Sequence, residues 1–176
     1  MLYTLCHPTL SDADNSFIAD FRRQHDAPFL SVVPHHFTLV FGLKNLVREQ
    51  YIEHIREHIG GQAPISFSCR YAMLGNDDSN RDFYVFLVPD EGYSDLCRLH
   101  DRLYRGYLAP FNRVEIPYIP HIGLATMTEP RAVKRLCDEL NQSGLEINGR
   151  VDAVTVCEFQ GSKIATLEEI PLSPQR

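Results

Sequence analysis

Two short stretches carry the residue types with the most chemical capacity. Pro34-His35-His36-Phe37-Thr38-Leu39-Val40-Phe41 sets a histidine and a hydroxyl two apart in an apolar, β-branched and aromatic run closed by Gly42. Half a chain further on, Tyr118-Ile119-Pro120-His121-Ile122-Gly123-Leu124-Ala125-Thr126 repeats proline, histidine and apolar run in that order. Each run predicts a buried strand. Residues two apart in a strand share a face, about 7 Å from each other. His36 therefore sides with Thr38, and His121 with Gly123. Polar groups on an apolar strand cost free energy unless something pairs with them. Two imidazoles in one site can divide proton work, because an ordinary pKa of about 6.5 lets one be neutral and the other charged near neutral pH. General acid–base help of this kind is worth about 10²–10⁴-fold in rate. The two stretches are read as the halves of one site.

The elements that must position them form a repeat. Leu2–Cys6 predicts a strand. Ser11 is placed to cap a helix that buries Phe17, Ile18 and Phe21. After a loop with Pro28 comes the His36 strand, then a helix over 46–59 with Val47, Tyr51, Ile55 and Ile59 facing in, ended by Gly60-Gly61. Strands near 64–73 and 82–88 come next, joined by a polar turn, Gly75-Asn76-Asp77-Asp78. The second half begins with a helix over 92–105 that buries Leu96, Leu99 and Leu103. A loop over 106–118 leads into the His121 strand. Thr128 is expected to cap the next helix, with Pro130 in its first turn, Val133, Leu136, Cys137 and Leu140 inward and Gly144 at its end. Closing strands are expected near 147–158 and 163–170. The fold class is α+β over residues 1–176 as one bilobed unit: two pseudo-symmetric lobes, each a mostly antiparallel sheet with helices on its outer face, around a central cleft. A His-bearing strand is expected at the heart of each lobe.

Composition narrows the function. The formal net charge of −6 argues against tracking long nucleic acid, which needs a basic surface, but leaves room for a local cleft that takes a phosphate or two. Cys6, Cys69, Cys97, Cys137 and Cys157 are odd in number and widely spaced, which suits buried thiols in a reducing cytoplasm rather than disulfides or a zinc site. No apolar run approaches a membrane span and no secretory leader is recognised, so a cytoplasmic monomer without membrane contact is expected.

His36-Phe37-Thr38-Leu39 and Pro120-His121-Ile122-Gly123-Leu124-Ala125 resemble the two signature motifs of the two-histidine phosphoesterase superfamily. That superfamily includes the bacterial RNA ligase-like proteins and the cyclic nucleotide phosphodiesterases. Its pattern is His-x-Thr/Ser-x twice, about half a chain apart, on a bilobed α+β fold. The resemblance covers nearly the whole chain and departs at Gly123, where the family usually has Thr or Ser. It implies a phosphodiesterase acting on 2′,3′-cyclic phosphates of small nucleotides or RNA 3′-ends and leaving a phosphomonoester. In that reading His36 and His121 are catalytic, and Thr38 and position 123 bind substrate. Hydroxyls beside the histidines would donate to phosphate oxygens as charge builds. No cofactor and no metal is required. The resemblance implies that His36 is the proton donor and His121 the base; the residues themselves do not order them.

Other residues weigh less. A regular strand puts Thr126 on the face opposite His121, so it is expected not to replace the missing hydroxyl. His54 and His58 have metal-compatible i, i+4 spacing, but a solvated or boundary helix face is expected. Arg98, Arg102 and Arg105 fit a solvated helix face better than a phosphate patch. Phe83, Tyr84, Phe86, Phe111 and Tyr118 include candidates for base stacking. The rival to an enzyme is a binding module of the same fold that holds a nucleotide or RNA end with weakened catalysis; Gly123 is the residue that favours it.

Overall fold

The computed structural model of the chain describes residues 1–76 and 81–174. It begins with β1 (Leu2–Cys6), β2 (Thr9–Leu10), α1 (Asp12–His25), a short α2 (Ala27–Leu30), β3 (Phe37–Leu43) and α3 (Arg48–Ile59). Next come β4 (Ile65–Asn76), β5 (Phe83–Glu91), α4 (Tyr93–Leu103) and a 3-10 turn over Gly106–Phe111. The chain closes with β6 (Ile122–Met127), α5 (Pro130–Gln142), β7 (Ile147–Val151), β8 (Ala153–Phe159) and β9 (Ile164–Pro171). Gly75 and Asn76 of the expected turn lie in β4, and Asp77 and Asp78 lie outside the described residues.

The strands make two antiparallel sheets, as expected of the α+β class. One has the order β3-β1-β8-β9 and the other β2-β7-β4-β5-β6. The sheets are not consecutive halves of the chain, because the strand expected over 147–158 breaks at Asp152. On one side Val151 pairs with Ile65 in the larger sheet. On the other, Ala153 pairs with Pro171 in the smaller. Asp152 anchors the crossing: its carboxylate accepts from the Thr9 hydroxyl and Arg150, and its carbonyl from the Leu172 N–H. Buried residues flank the break on both sides, so apolar patterning runs across it unmarked. Each His-bearing stretch lies on an edge strand of its sheet, β3 or β6, rather than at the centre.

One apolar core joins the layers. Phe37 of β3 meets Phe67 of β4 edge to face, with ring centroids 5.0 Å apart. Tyr51 of α3 and Thr4 of β1 share a buried hydrogen bond of 2.6 Å. Val133, Cys137 and Leu140 of α5 are buried as the helical spacing predicts. Burying each such side chain contributes about 1.5–3 kcal/mol. Four local readings change. Phe17 of α1 is 36% exposed rather than buried, while Ile18 beside it is fully covered. Glu129, not Thr128, caps α5 by accepting from the N–H groups of Arg131 and Ala132; Pro130 opens the helix and keeps the residue before it extended. Val47 is the N-cap of α3 and is 52% exposed rather than inward. His54 is buried, not solvated, and bonds through Nε2 to the Leu103 carbonyl. Among the described residues no helix is long and apolar enough to cross a membrane.

Candidate active site

His36 immediately precedes β3 and His121 immediately precedes β6. Each ring bends back on its own lead-in. His36 Nδ1 lies 2.7 Å from the Pro34 carbonyl, and His121 Nδ1 lies 2.7 Å from the Ile119 carbonyl. A carbonyl only accepts, so Nδ1 carries the proton in both rings and Nε2 is left with the lone pair in the neutral form. Neither Nε2 has a protein partner among the described residues. Burial pushes the His36 imidazole down to about 3 and the His121 imidazole down to about 4. The carbonyl contacts oppose this. Positive charge on His7, Arg22 or His121 further disfavours a proton on His36, so the two site imidazoles lie within electrostatic reach of each other.

Thr38 pairs with Leu5 of β1, which belongs to a small apolar cluster with Val33 and Cys157, apart from the main core. Its hydroxyl has no protein partner among the described residues. On the facing sheet, a Cβ built on Gly123 would meet nothing within 4 Å. Position 123 therefore opens onto free space.

Thr126 departs from expectation. Val85 pairs with Ala125, but the next residue, Phe86, pairs with Gly123, so Leu124 is an extra residue in β6. This bulge reverses the facing of the residues beyond it. Thr126, opposite Tyr84, thus shares the face of Gly123, opposite Phe86. Its hydroxyl is engaged, donating to Asp26 Oδ1 at 2.6 Å. Asp26 in turn holds the buried Arg22 at 3.0 Å, and Arg22 Nη1 donates to the Val33 carbonyl at 3.1 Å. The network links β6 to the segment that leads into His36. A second link runs along the outer edge of β3: Tyr118 donates its hydroxyl to the Thr38 carbonyl, and the Tyr104 hydroxyl accepts from the Phe41 N–H.

Of the candidate stacking aromatics, Phe86 lies against His121. Its ring lies on His121 with centroids 3.6 Å apart and planes 18° apart, and Tyr84 continues the stack at 5.6 Å. Gly75 makes room for it: a Cβ there would sit 2.0 Å from the Phe86 ring. Tyr118 instead stacks on His100 at 3.7 Å. Of the arginines on and just after α4, Arg98 pairs with Asp95 at the surface and Arg102 donates to Gln62. His7 was missed in the sequence; its ring centroid is 6.0 Å from that of His36. Its signal was the two-residue spacing from Leu5 at the end of a predicted strand. A recess of about 560 Å³ near Lys44, Arg48 and Glu158 is lined by neither site histidine.

Two antiparallel sheets, each with a histidine immediately before its edge strand, match the bilobed pattern of a two-histidine phosphoesterase. Residues 10–163 match the 2′-5′ RNA ligase superfamily, and the chain belongs to that family. No protein of curated function matches it. The fold is similar to that of TT0787 of Thermus thermophilus, at 19% identity, TM-score 0.62 and 99% coverage of each chain. It is similar as well to E. coli LigT complexed with 3′-AMP, at 19% identity and TM-score 0.62, covering 98% of this chain and 97% of that one. Usb1 of Kluyveromyces marxianus with uridine monophosphate aligns at 13% identity and TM-score 0.58, covering 97% of this chain and 98% of that one.

Proposed function

We propose that the protein is a phosphodiesterase that opens 2′,3′-cyclic phosphates of nucleotides or RNA 3′-ends. His36 and His121 act as acid and base, and Thr38 holds a non-bridging oxygen. The observation that carries this reading is the matched setting of the two rings, each with Nδ1–H spent on a carbonyl and Nε2 free. One Nε2 takes a proton from water as it attacks phosphorus; the other, protonated, delivers its proton to the leaving ribose oxygen. The P–O bond to that oxygen breaks, and a phosphomonoester remains. The Thr38 hydroxyl donates to the phosphate as negative charge grows there. Membership of the family supports phosphoester chemistry in general. The nucleotides named with the bound LigT and Usb1 structures support a nucleotide ligand. The scheme calls for no metal or cofactor.

Turnover of a panel of 2′,3′-cyclic nucleotides by wild type, His36→Ala and His121→Ala tests the assignment. Loss of turnover in both variants with unchanged circular dichroism is the expected result; wild-type rates in either would sink it. A second reading, a nucleotide-binding module with weakened catalysis, is favoured by one feature: position 123 carries no hydroxyl, and that of Thr126 is held by Asp26. Binding of the same compounds without turnover by the wild type would decide for it.

A further inference from the structure

The two carbonyl anchors fix each site ring on its own lead-in and leave the distance between the rings unset. The lead-ins precede edge strands of different sheets, so that distance depends on what joins the sheets. Two hydrogen-bonded paths do so, and they are reciprocal. Val33, three residues before His36, is tied to β6; Tyr118, three residues before His121, is tied to β3. On the first path the Val33 carbonyl accepts from Arg22 Nη1 at 3.1 Å, and Arg22 Nε donates to Asp26 Oδ2 at 3.0 Å. Asp26 Oδ1 then accepts from the Thr126 hydroxyl at 2.6 Å. Arg22 and Asp26 are only 3% and 5% exposed, so water does not compete for the pair. The main chain carries the same span: the Asp26 carbonyl accepts from the N–H groups of Phe29 and Leu30, and the Phe29 carbonyl from that of Val33. On the second path the Tyr118 hydroxyl donates to the Thr38 carbonyl at 3.0 Å. His100 of α4 backs the Tyr118 ring, with centroids 3.7 Å apart and planes 11° apart.

We infer that this reciprocal brace sets the spacing of His36 and His121 across the phosphate, with Arg22, Asp26, Thr126 and Tyr118 as positioning residues, an inference that rests on the proposed acid–base chemistry. One imidazole accepts a proton on the attacking side of phosphorus while the other delivers a proton on the leaving side. Their separation must therefore match the in-line displacement, and a misplacement of about 1 Å can cost about a hundredfold in rate. Each path holds the lead-in of one histidine to the strand of the other, so neither half of the site can shift alone. The bulge at Leu124 belongs to this device, because it sets the facing from which Thr126 engages Asp26. The four side chains act through the imidazoles, so their loss bears on kcat more than on KM.

The test uses Thr126→Val, Thr126→Ser, Tyr118→Phe and the double variant Arg22→Met, Asp26→Leu. Turnover of adenosine 2′,3′-cyclic phosphate is measured beside a urea melt and the imidazole resonances of the substrate-free protein. Thr126→Val and Tyr118→Phe should each lower kcat by about tenfold, with KM within about twofold of wild type. Thr126→Ser keeps the hydroxyl and should recover most of the loss. Thr126→Val should shift the His36 resonances, although the substitution lies on the strand of His121. The double variant separates placement from stability: it should melt close to wild type and still lose about tenfold or more in kcat. Wild-type kcat with unshifted resonances in Thr126→Val and Tyr118→Phe would overturn the brace. So would kcat losses that follow the melting midpoints while the resonances stay in place. Absence of turnover by the wild type would refute the proposed activity instead, and the His36 resonances of Thr126→Val would then still decide the brace.

Discussion

His36 and His121 present the same hydrogen-bond geometry: each Nδ1 donates to the carbonyl two residues before it, at 2.7 Å. The proline in each motif is part of the reason, in different ways. Pro34 supplies the acceptor for His36 directly. Pro120 comes just after the acceptor residue of His121 and keeps that residue extended. One local device therefore sets the tautomer of both rings, and neither lobe needs a carboxylate to do it.

The low proton affinity of both rings gives a pH dependence with a definite sign. Held down to about 3 and 4, the substrate-free imidazoles lose the required imidazolium as pH rises. We expect kcat/KM to fall by about tenfold per pH unit between about 5.5 and 7.5, the free-enzyme profile. The kcat profile should lie at higher pH, because a bound phosphate anion stabilises imidazolium. Stability runs the other way. The unfolded chain binds these protons near pH 6.5 and the folded chain does not, so stability is intact above that value and declines as pH falls toward 4. A kcat/KM that stays flat over the interval would contradict the burial argument.

Phe86 of β5 is packed between Gly75 of β4 and the ring of His121, just before β6. Gly75→Ala cannot be accommodated without moving the Phe86 ring, and that ring fixes the plane of His121. We expect kcat to fall by about ten- to a hundredfold with little change in KM, as for a small misplacement of a reacting group. Phe86→Leu should act alike and Phe86→Tyr should retain most activity. A shift of the His121 imidazole resonances in both impaired variants would distinguish positioning from general destabilisation.

Arg22 and Asp26 are a buried pair whose partners lie on both sides of the site. Arg22→Ala leaves the Asp26 carboxylate buried without its cation and should cost about 3–5 kcal/mol in a urea melt. Thr126→Val removes one hydrogen bond to Asp26 and should cost about 1–3 kcal/mol. A double Arg22→Met, Asp26→Leu variant should recover most of the loss. If instead the single Arg22 variant melts like wild type, the pair is not what ties α1 to β6.

Position 123 offers a gain of function. Its Cβ would enter open space, so Gly123→Ser meets no steric barrier. A serine hydroxyl there can donate to a phosphate oxygen, and we expect kcat/KM on a small 2′,3′-cyclic nucleotide to rise by about tenfold, or about 1.4 kcal/mol. Lower activity on every cyclic phosphate tried would indicate that the substrate packs against the glycine backbone.

Most helices and strands, and the two histidine motifs, are legible in the chain, while the short β2 and α2 are not. Spacing of apolar residues marked Tyr51, Ile55 and Ile59 on α3 and Leu96, Leu99 and Leu103 on α4, because a helix that buries one face must repeat near every third or fourth residue. His36, Thr38, His121 and Gly123 were legible for a similar reason: two-residue spacing in a short strand needs no distant information. Long-range pairing sets the remaining features. The switch of sheets at Asp152 is invisible to patterning, since buried residues flank it on both sides. The bulge at Leu124 turns Thr126 onto the site face, and only the pairing of β6 with β5 reveals it. The same holds for Phe86 on His121, for Asp26 and Arg22 behind Thr126, and for His7 beside His36. Each of these contacts joins residues brought together by strand register, and register is fixed by partners far away in the chain.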